Sequence, residues 1–378
     1  MSSIITPHSS PTTTGIVIEP RSSRGEDEVS LPNGRVQSWA LLAYVCWVAY
    51  SSLFPLAGWT SSGISSWAFL SAEWPRYWTL GDVGGNVLLY LPVGFLAALW
   101  RLRSGSRAIV AVATGIALAS GLGISVEYLQ NWLPTRVASN LDWLTNTLGG
   151  LVGATAAVFY QSRWAGALST RWHAVFLPGK TWGSVLVLIW VVMQVNPAAP
   201  LFQTGWPAVA TAFWDTNTYL FWGEVAATAL QTLAAVLLAF CVLHDARLMR
   251  LLRVILGAML VLAVKALLSA YSFGLANGFI WLTNGAIWGV LLAAVAATAL
   301  VWASQQTLRI ILVLALLAGV LVGAFIPASP YAAELGLLVR ESPLRNLGGG
   351  LGLLSMWWPL FVLLSTLQPE LEKRNHAI

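Results

Sequence analysis

Residues 127–153 read EYLQNWLPTRVASNLDWLTNTLGGLVG, from Glu127 to Gly153. This stretch carries a carboxylate (Glu127), an amide (Gln130), a guanidinium (Arg136), a second carboxylate (Asp142) and a second amide (Asn146). All five stand in or between two long apolar runs. Only 9% of the chain is Asp, Glu, Lys or Arg, and 57% is hydrophobic. Ionisable groups at membrane depth are costly, so they mark a functional site by default. Working outward, the preceding apolar run opens with a third carboxylate and amide, Asp82 and Asn86.

Membrane-length apolar segments recur almost end to end, at about 38–56, 83–101, 107–125, 142–160, 181–197, 220–243, 250–271, 276–303, 307–326 and 346–367. So few charges could not solvate the surface of a soluble protein. The fold class expected is all-α: a polytopic helical membrane protein of about ten transmembrane helices, built from degenerate four-helix repeats. Residues 1–36, rich in Ser, Thr and Pro, read as a disordered tail. Residues 37–162 form a first four-helix unit, 163–180 a loop and 181–304 a second, degenerate unit. Residues 305–368 form a two-helix partial repeat and 369–378 a second tail.

The net charge of +5 does not indicate nucleic acid, because the basic residues lie in short loops. Fifteen of the 20 Lys and Arg fall on one side: Arg21, Arg24 and Arg35; Arg101, Arg103 and Arg107; Arg163, Arg171 and Lys180; Arg247, Arg250 and Arg253; Arg309; Lys373 and Arg374. The positive-inside rule makes that side and both termini cytoplasmic. The opening cluster then faces outward. Cys46 and Cys241 lie in apolar runs and read as packing residues. His8, His173, His244 and His376 lie in tails or basic loops, which argues against a histidine metal site. Trp59, Trp67, Trp74, Trp78 and Trp132, with Trp206 and Trp214, suit a membrane interface and can also stack on a sugar or lipid head group. The segment Gly63 to Leu70 reads as a short interfacial helix.

A weak internal repeat has an offset near 140 residues: Trp143-Leu144-Thr145-Asn146 recurs as Trp281-Leu282-Thr283-Asn284, and Gly81-Asp82-Val83 pairs with Gly223-Glu224-Val225. Pro55 pairs with Pro197, and a third, partial copy would begin at the Phe325-Ile326-Pro327 break. Aligned this way, Asp142 meets Ile280, Glu127 meets Lys265 and Asn86 meets Thr228. The first copy reads as the functional unit and the second as scaffold. Lys265, inside an apolar run, either snorkels or forms an intramembrane ion pair with Glu224 or an acid of the first copy.

Asp82 and Asn86 are four residues apart, as are Asp142 and Asn146, so each pair shares a helix face. Glu127 and Gln130 sit at the outer end of the run between them. Three successive helices can therefore direct carboxylates to one point. Three carboxylates in a low dielectric cannot all ionise cheaply. Either Arg136 folds back to pair with one, or a cation sits among them, or one keeps its proton. The last arrangement is what acid–base catalysis needs. No cofactor is evident, although the all-oxygen set suits a divalent cation. The plainer reading is that Asp82 and Asp142 cap helices. Gly149 and Gly153 form a GxxxG pair suited to close helix packing, and Pro92 is set to kink its helix.

The combination Asp82-x3-Asn86-x5-Pro92-x-Gly94-Phe95, Glu127-x2-Gln130, Arg136 and Asp142-x3-Asn146-x2-Gly149 resembles the VanZ-like family of bacterial membrane proteins, over about residues 40–160. The resemblance implies a small bundle of about four helices. It also implies a cell-envelope context: the family takes its name from a protein linked to teicoplanin resistance, and relatives occur among genes for exported polysaccharide. A bacterial cytoplasmic (inner) membrane location follows. As an enzyme, the chain would use Asp82, Glu127 and Asp142 as acids and bases on a glycan or lipid-linked substrate. Arg136 would bind an anionic group, and Asn86, Gln130 and Asn146 would orient the substrate. A non-catalytic binding or assembly protein, with envelope assembly partners, and a transporter remain the alternatives. The residues do not decide between an enzyme and a binder.

Overall fold

The computed structural model describes residues 34–61, 63–204, 220–326 and 345–375. The N-terminal tail to residue 33, Trp206, Trp214, Pro327 and Arg340 lie outside them. Every regular element described is helical. The long helices are α1 (Gly34–Leu53), α2 (Leu80–Arg103), α3 (Ala108–Gln130), α4 (Asn140–Phe159), α5 (Ala165–Val175), α6 (Thr181–Gln194), α7 (Phe221–Val242), α8 (Arg247–Phe273), α9 (Asn284–Leu300), α10 (Gln305–Phe325) and α11 (Arg345–Asn375).

A helix overlaps each of the ten apolar segments. Among the described residues, α2, α3, α7, α8, α10 and residues 349–366 of α11 are long and apolar enough to cross a membrane. Helices α6 and α9 are apolar but shorter. Helix α4 has the length, yet its first two turns carry Asn140, Asp142, Thr145, Asn146 and Thr147. The protein is therefore a helical membrane protein. The loop expected at 163–180 is largely helical, because α4 runs through a π-turn at Tyr160–Trp164 into α5. The C-terminal tail continues α11 as far as Asn375.

In the first unit, α2, α3 and α4 pack mutually and α1 lies against α2 and α3. Small residues set the spacing. Gly94 and Gly150 approach so closely that a methyl on Gly94 would strike the Gly150 carbonyl, and one on Gly153 would strike the Leu91 carbonyl. Gly115 faces Ala154 in the same way across α3 and α4. The GxxxG reading holds: backbone approaches backbone, as helix association in lipid favours. Pro92 leaves the Leu88 carbonyl without its helical donor. The Tyr44 hydroxyl of α1 donates to the next carbonyl, Leu89, at 3.1 Å.

In the second unit, α7 is central, flanked by α9 and α10, with α6 and α8 beside it. Helix α8 packs lightly; Val261, Lys265, Ser269 and Phe273 form its buried stripe. Helix α11 joins the units by lying against both α1 and α6. Trp47 Nε1 donates to the Gly350 carbonyl (2.8 Å), and Trp358 Nε1 donates to the Leu186 carbonyl (2.8 Å). Each indole is thereby satisfied where no water is at hand.

The four-residue identity behind the repeat does not hold its place in the helices. Trp143 lies inside α4, whose N-cap is Ser139. Trp281 precedes α9, whose N-cap is Thr283. Asp142 is therefore the third residue of α4, whereas Ile280 precedes α9.

Candidate functional site

Helices α2 and α4 open with the same pattern, a hydroxyl residue followed three positions later by aspartate. Thr79-x-x-Asp82 and Ser139-x-x-Asp142 both predict a capping box. At α2 the box closes. The Thr79 hydroxyl accepts the Asp82 N–H (3.1 Å), and Asp82 Oδ2 accepts the Thr79 N–H (3.0 Å) and its hydroxyl (2.8 Å). Asp82, exposed at the bundle surface, serves as a cap through Oδ2. Thr79→Ala should cost about 1 kcal/mol of stability, measurable as a lowered thermal midpoint of the purified protein. No change would show that the box does not hold α2.

At α4 the box stays open on the acid side. Ser139 Oγ takes the Asp142 N–H (3.4 Å), but the Ser139 N–H goes to Glu127 Oε2 of α3, at 2.8 Å. The carboxylate that would otherwise close the box is released. Asp142 turns to Asn86 of α2, within hydrogen-bonding reach, and stands in the field of Asp82. Glu127 lies near enough to Asp142 for their charges to interact. It is almost fully buried, at 2% exposed. The structure therefore brings Asp82, Asn86, Glu127 and Asp142 together from three helices.

The other three candidates point elsewhere or deeper. Gln130 Nε2 donates to the Ser52 carbonyl (3.0 Å) and Arg136 Nη2 to the Phe54 carbonyl (2.6 Å). Both satisfy the carbonyl end of α1, which has no helical donors of its own. This bond commits one Arg136 nitrogen to the end of α1; pairing with an acid is one of the three ways of easing the crowded carboxylates. Asn146 is buried one turn below Asp142, against Gly123, and its Oδ1 has no partner.

Tyr90 was missed. Buried on α2, it places its ring and hydroxyl between Ser52 and Glu127, within the field of Asp142. Its place one turn below Asn86 was the available signal. Ser139 was missed too, although the hydroxyl-x-x-acid pattern announces it. The 3₁₀ turn Ala68–Ser71 lies beside the cluster and carries the buried Phe69. Its segment is tied down by Asn131 Nδ2 to the Ile64 carbonyl (3.3 Å), Asn140 Nδ2 to the Ala72 carbonyl (2.8 Å) and the Thr60 N–H to the Trp132 carbonyl (2.9 Å). Trp67 packs on Tyr128 with ring centroids 4.8 Å apart. Trp59, Trp67, Trp74 and Trp78 remain exposed around it.

The second unit is more than an acid-free scaffold. Glu224 Oε1 accepts the hydroxyl of Thr283, the α9 cap, at 2.7 Å. Thr228 meets Gln203, and Gln231 joins Thr204 to the Gly319 carbonyl. Lys265, fully buried, neither snorkels nor pairs with a described carboxylate. Its Nζ donates to the carbonyls of Gln194 (3.3 Å), the last residue of α6, and of Asn196 (2.6 Å) and Ala199 (2.9 Å) beyond it, and lies 5.8 Å from the Trp281 ring centre. Among the described residues no group of three or more His, Cys, Asp or Glu side chains is placed to hold a metal ion.

Residues 15–161 match a protein-family model described as VanZ/LLP1. No curated protein and no solved structure matches the chain.

Proposed function

Because residues 15–161 make this chain a VanZ-like family member, we propose that their polar cluster acts on a cell-envelope glycan or lipid-linked substrate. One observation carries the reading. Glu127 takes over the capping contact of α4, so Asp142 is left free to face Asn86. A half-buried carboxylate released from helix duty beside a buried acid is suited to move a proton. Asp142 would accept it from a substrate hydroxyl, with Asn86 holding the carboxylate in place. Glu127 and Tyr90 would form the dry floor.

The basic-residue pattern supports a bacterial cytoplasmic membrane location with both termini inside and the cluster outward. Ten spans, in two degenerate four-helix units and a two-helix partial repeat, are part of the same reading. It is supported by the matching arrangement of α1, α2 and α4 and of α6, α7 and α9. The oxygen set of Asp82, Asn86 and Asp142 could also take a divalent cation completed by water. Titration of magnesium or calcium into the purified protein tests this, and absence of binding would end it.

The decisive comparison is of envelope glycans and lipids from cells with wild-type protein, no protein, Asp142→Asn and Glu127→Gln. Asp142→Asn should lower turnover about 100-fold or more. Glu127→Gln should be milder, because its amide oxygen can still accept the Ser139 N–H. Wild-type turnover in a well-inserted Asp142→Asn protein would sink the catalytic reading.

A second reading, binding without chemistry, draws on Asp82 serving as a cap and on the exposed tryptophans around the 3₁₀ turn. In that case an envelope molecule would co-purify unchanged with wild-type protein. Asp142→Asn would reduce its amount with no product appearing in either.

A further inference from the structure

We propose that the second unit completes the acid site with a lipid portal, a wedge between α2 and α8. It seats the chains of an uncharged glycolipid, whose sugar head reaches the cluster. The portal presumes that the cluster acts on an envelope substrate, and it makes that substrate one held in the membrane. The two helices meet at the cluster end of the bundle. A Cβ on Gly81 would strike the Tyr271 hydroxyl, and the Thr79 hydroxyl lies 3.4 Å from the same point. Tyr271 of α8 therefore rests on the first turn of α2, one residue from Asp82. Glycine at position 81 admits it.

Further along, the helices part. Both are long and apolar enough to cross a membrane. No described atom comes within 4 Å of a methyl built on Gly84 or Gly85, which continue the Gly81 face of α2. Leu88, two turns in from Gly81, is 69% exposed, and Leu267, one turn in from Tyr271, is 71% exposed. Lys265, on the opposite face of α8, ties that helix to the end of α6. The wedge is thus held by the fold, with apolar walls below a roof of hydroxyls. Apolar walls at hydrocarbon depth are covered by lipid chains, which are as apolar as leucine.

The roof distinguishes this face from the rest of the lipid-facing surface. Tyr271 and Thr79 bring hydroxyls, and Asn86 an amide, beside Asp82 and Asp142. Such groups bind sugar hydroxyls as donors and acceptors, whereas two carboxylates repel an anionic head. Glu73 and Arg76, in the segment leading to α2, offset each other in charge. Both approaches to the roof carry exposed apolar side chains: Tyr77, Trp78 and Leu80 at α2, Leu275 and Phe279 after α8. Aromatic side chains of this kind sit at the head-group level of a bilayer. A lipid standing in the wedge has its chains between α2 and α8 and its head beside the acids.

The test uses the full chain in neutral detergent, with lipid titrations read by native mass spectrometry. The probes are monoglucosyl diacylglycerol and phosphatidylglycerol. The glycolipid should bind the tighter of the two. Leu267→Trp, which fills the wedge, should weaken it about tenfold. Tyr271→Phe, which keeps the ring and removes the hydroxyl, should weaken it about threefold to tenfold. Both positions are exposed, so the variants should stay monodisperse. Leu314→Trp on α10, also exposed, should leave binding unchanged. A glycolipid with a photoreactive chain should label peptides around Leu88 and Leu267. Binding is read without turnover, which separates this portal from the chemistry proposed above. If Asp142→Asn ends the catalytic reading, glycolipid binding that responds to Leu267→Trp still supports the wedge. Glycolipid binding untouched by Leu267→Trp, equal binding of phosphatidylglycerol, or equal weakening by Leu314→Trp overturns it.

Discussion

Replacing Gly153 with valine should separate α2 from α4 and scatter the polar cluster. A Cβ at this position falls inside the van der Waals shell of the Leu91 carbonyl and within 2.9 Å of the Phe95 nitrogen. The obstacle is backbone on the facing helix, so no rotamer change relieves it. Overpacked cores commonly lose about 1–3 kcal/mol, and a clash with fixed backbone belongs at or above the upper end. The adjoining contact has no slack, since Gly94 and Gly150 already touch. Asn86 reaches Asp142 only because α2 and α4 lie this close. Gly153→Val should therefore cost about 3 kcal/mol or more, seen as loss of the monodisperse peak in size-exclusion chromatography. Activity or substrate retention should fall with it. Gly121→Val is the control. It lies on α3 with nothing within 4 Å of a built Cβ and should stay within about 0.5 kcal/mol of wild type. A monodisperse, active Gly153→Val protein would show that the crossing does not set the site.

Much of this arrangement was readable in advance, for physical reasons. Segment positions follow from apolar run length, because a bilayer demands it. The tight crossing follows from Gly149 and Gly153, because glycine spacing on one face admits a backbone. Asp82, Asn86, Glu127 and Asp142 converge because their spacing puts them at the same ends of neighbouring helices. The sequence could not separate Asp82 from Asp142, which sit in the same capping pattern. Their difference arises from a third helix, whose Glu127 takes the Ser139 N–H. Propensity at α4 alone contains no trace of that contact. The repeated motif meets a related limit. Trp-Leu-Thr-Asn is the same text twice, but a cap at Ser139 starts α4 before it, whereas Thr283 starts α9 within it. Identity of letters did not fix where hydrogen bonding begins. For Arg136, charge suggested an acidic partner, yet helix ends buried in a membrane also need donors. One arm of its guanidinium serves the end of α1.

The same need for donors underlies the second large effect expected, at Lys265. Replacing it with methionine should destabilise the second unit by roughly 3 kcal/mol. The carbonyls of Gln194, Asn196 and Ala199 lie at and just past the last turn of α6, where helical donors run out. Their shared donor is the Lys265 ammonium, in a place fully shut off from solvent. Methionine fills the volume but leaves the Gln194 and Ala199 carbonyls without a donor and the Asn196 carbonyl with the Ala199 N–H alone. The effect should appear as a lower midpoint in a denaturation series, with the amides of Gln194, Val195, Asn196, Ala198 and Ala199 exchanging faster. Glu224→Gln distinguishes this arrangement from an intramembrane ion pair. If Lys265 were held by that acid, the double variant would lose far less than the two single losses combined. With the ammonium bound by carbonyls, the losses should add to within about 0.5 kcal/mol. Strong non-additivity would restore the ion pair and remove the cap.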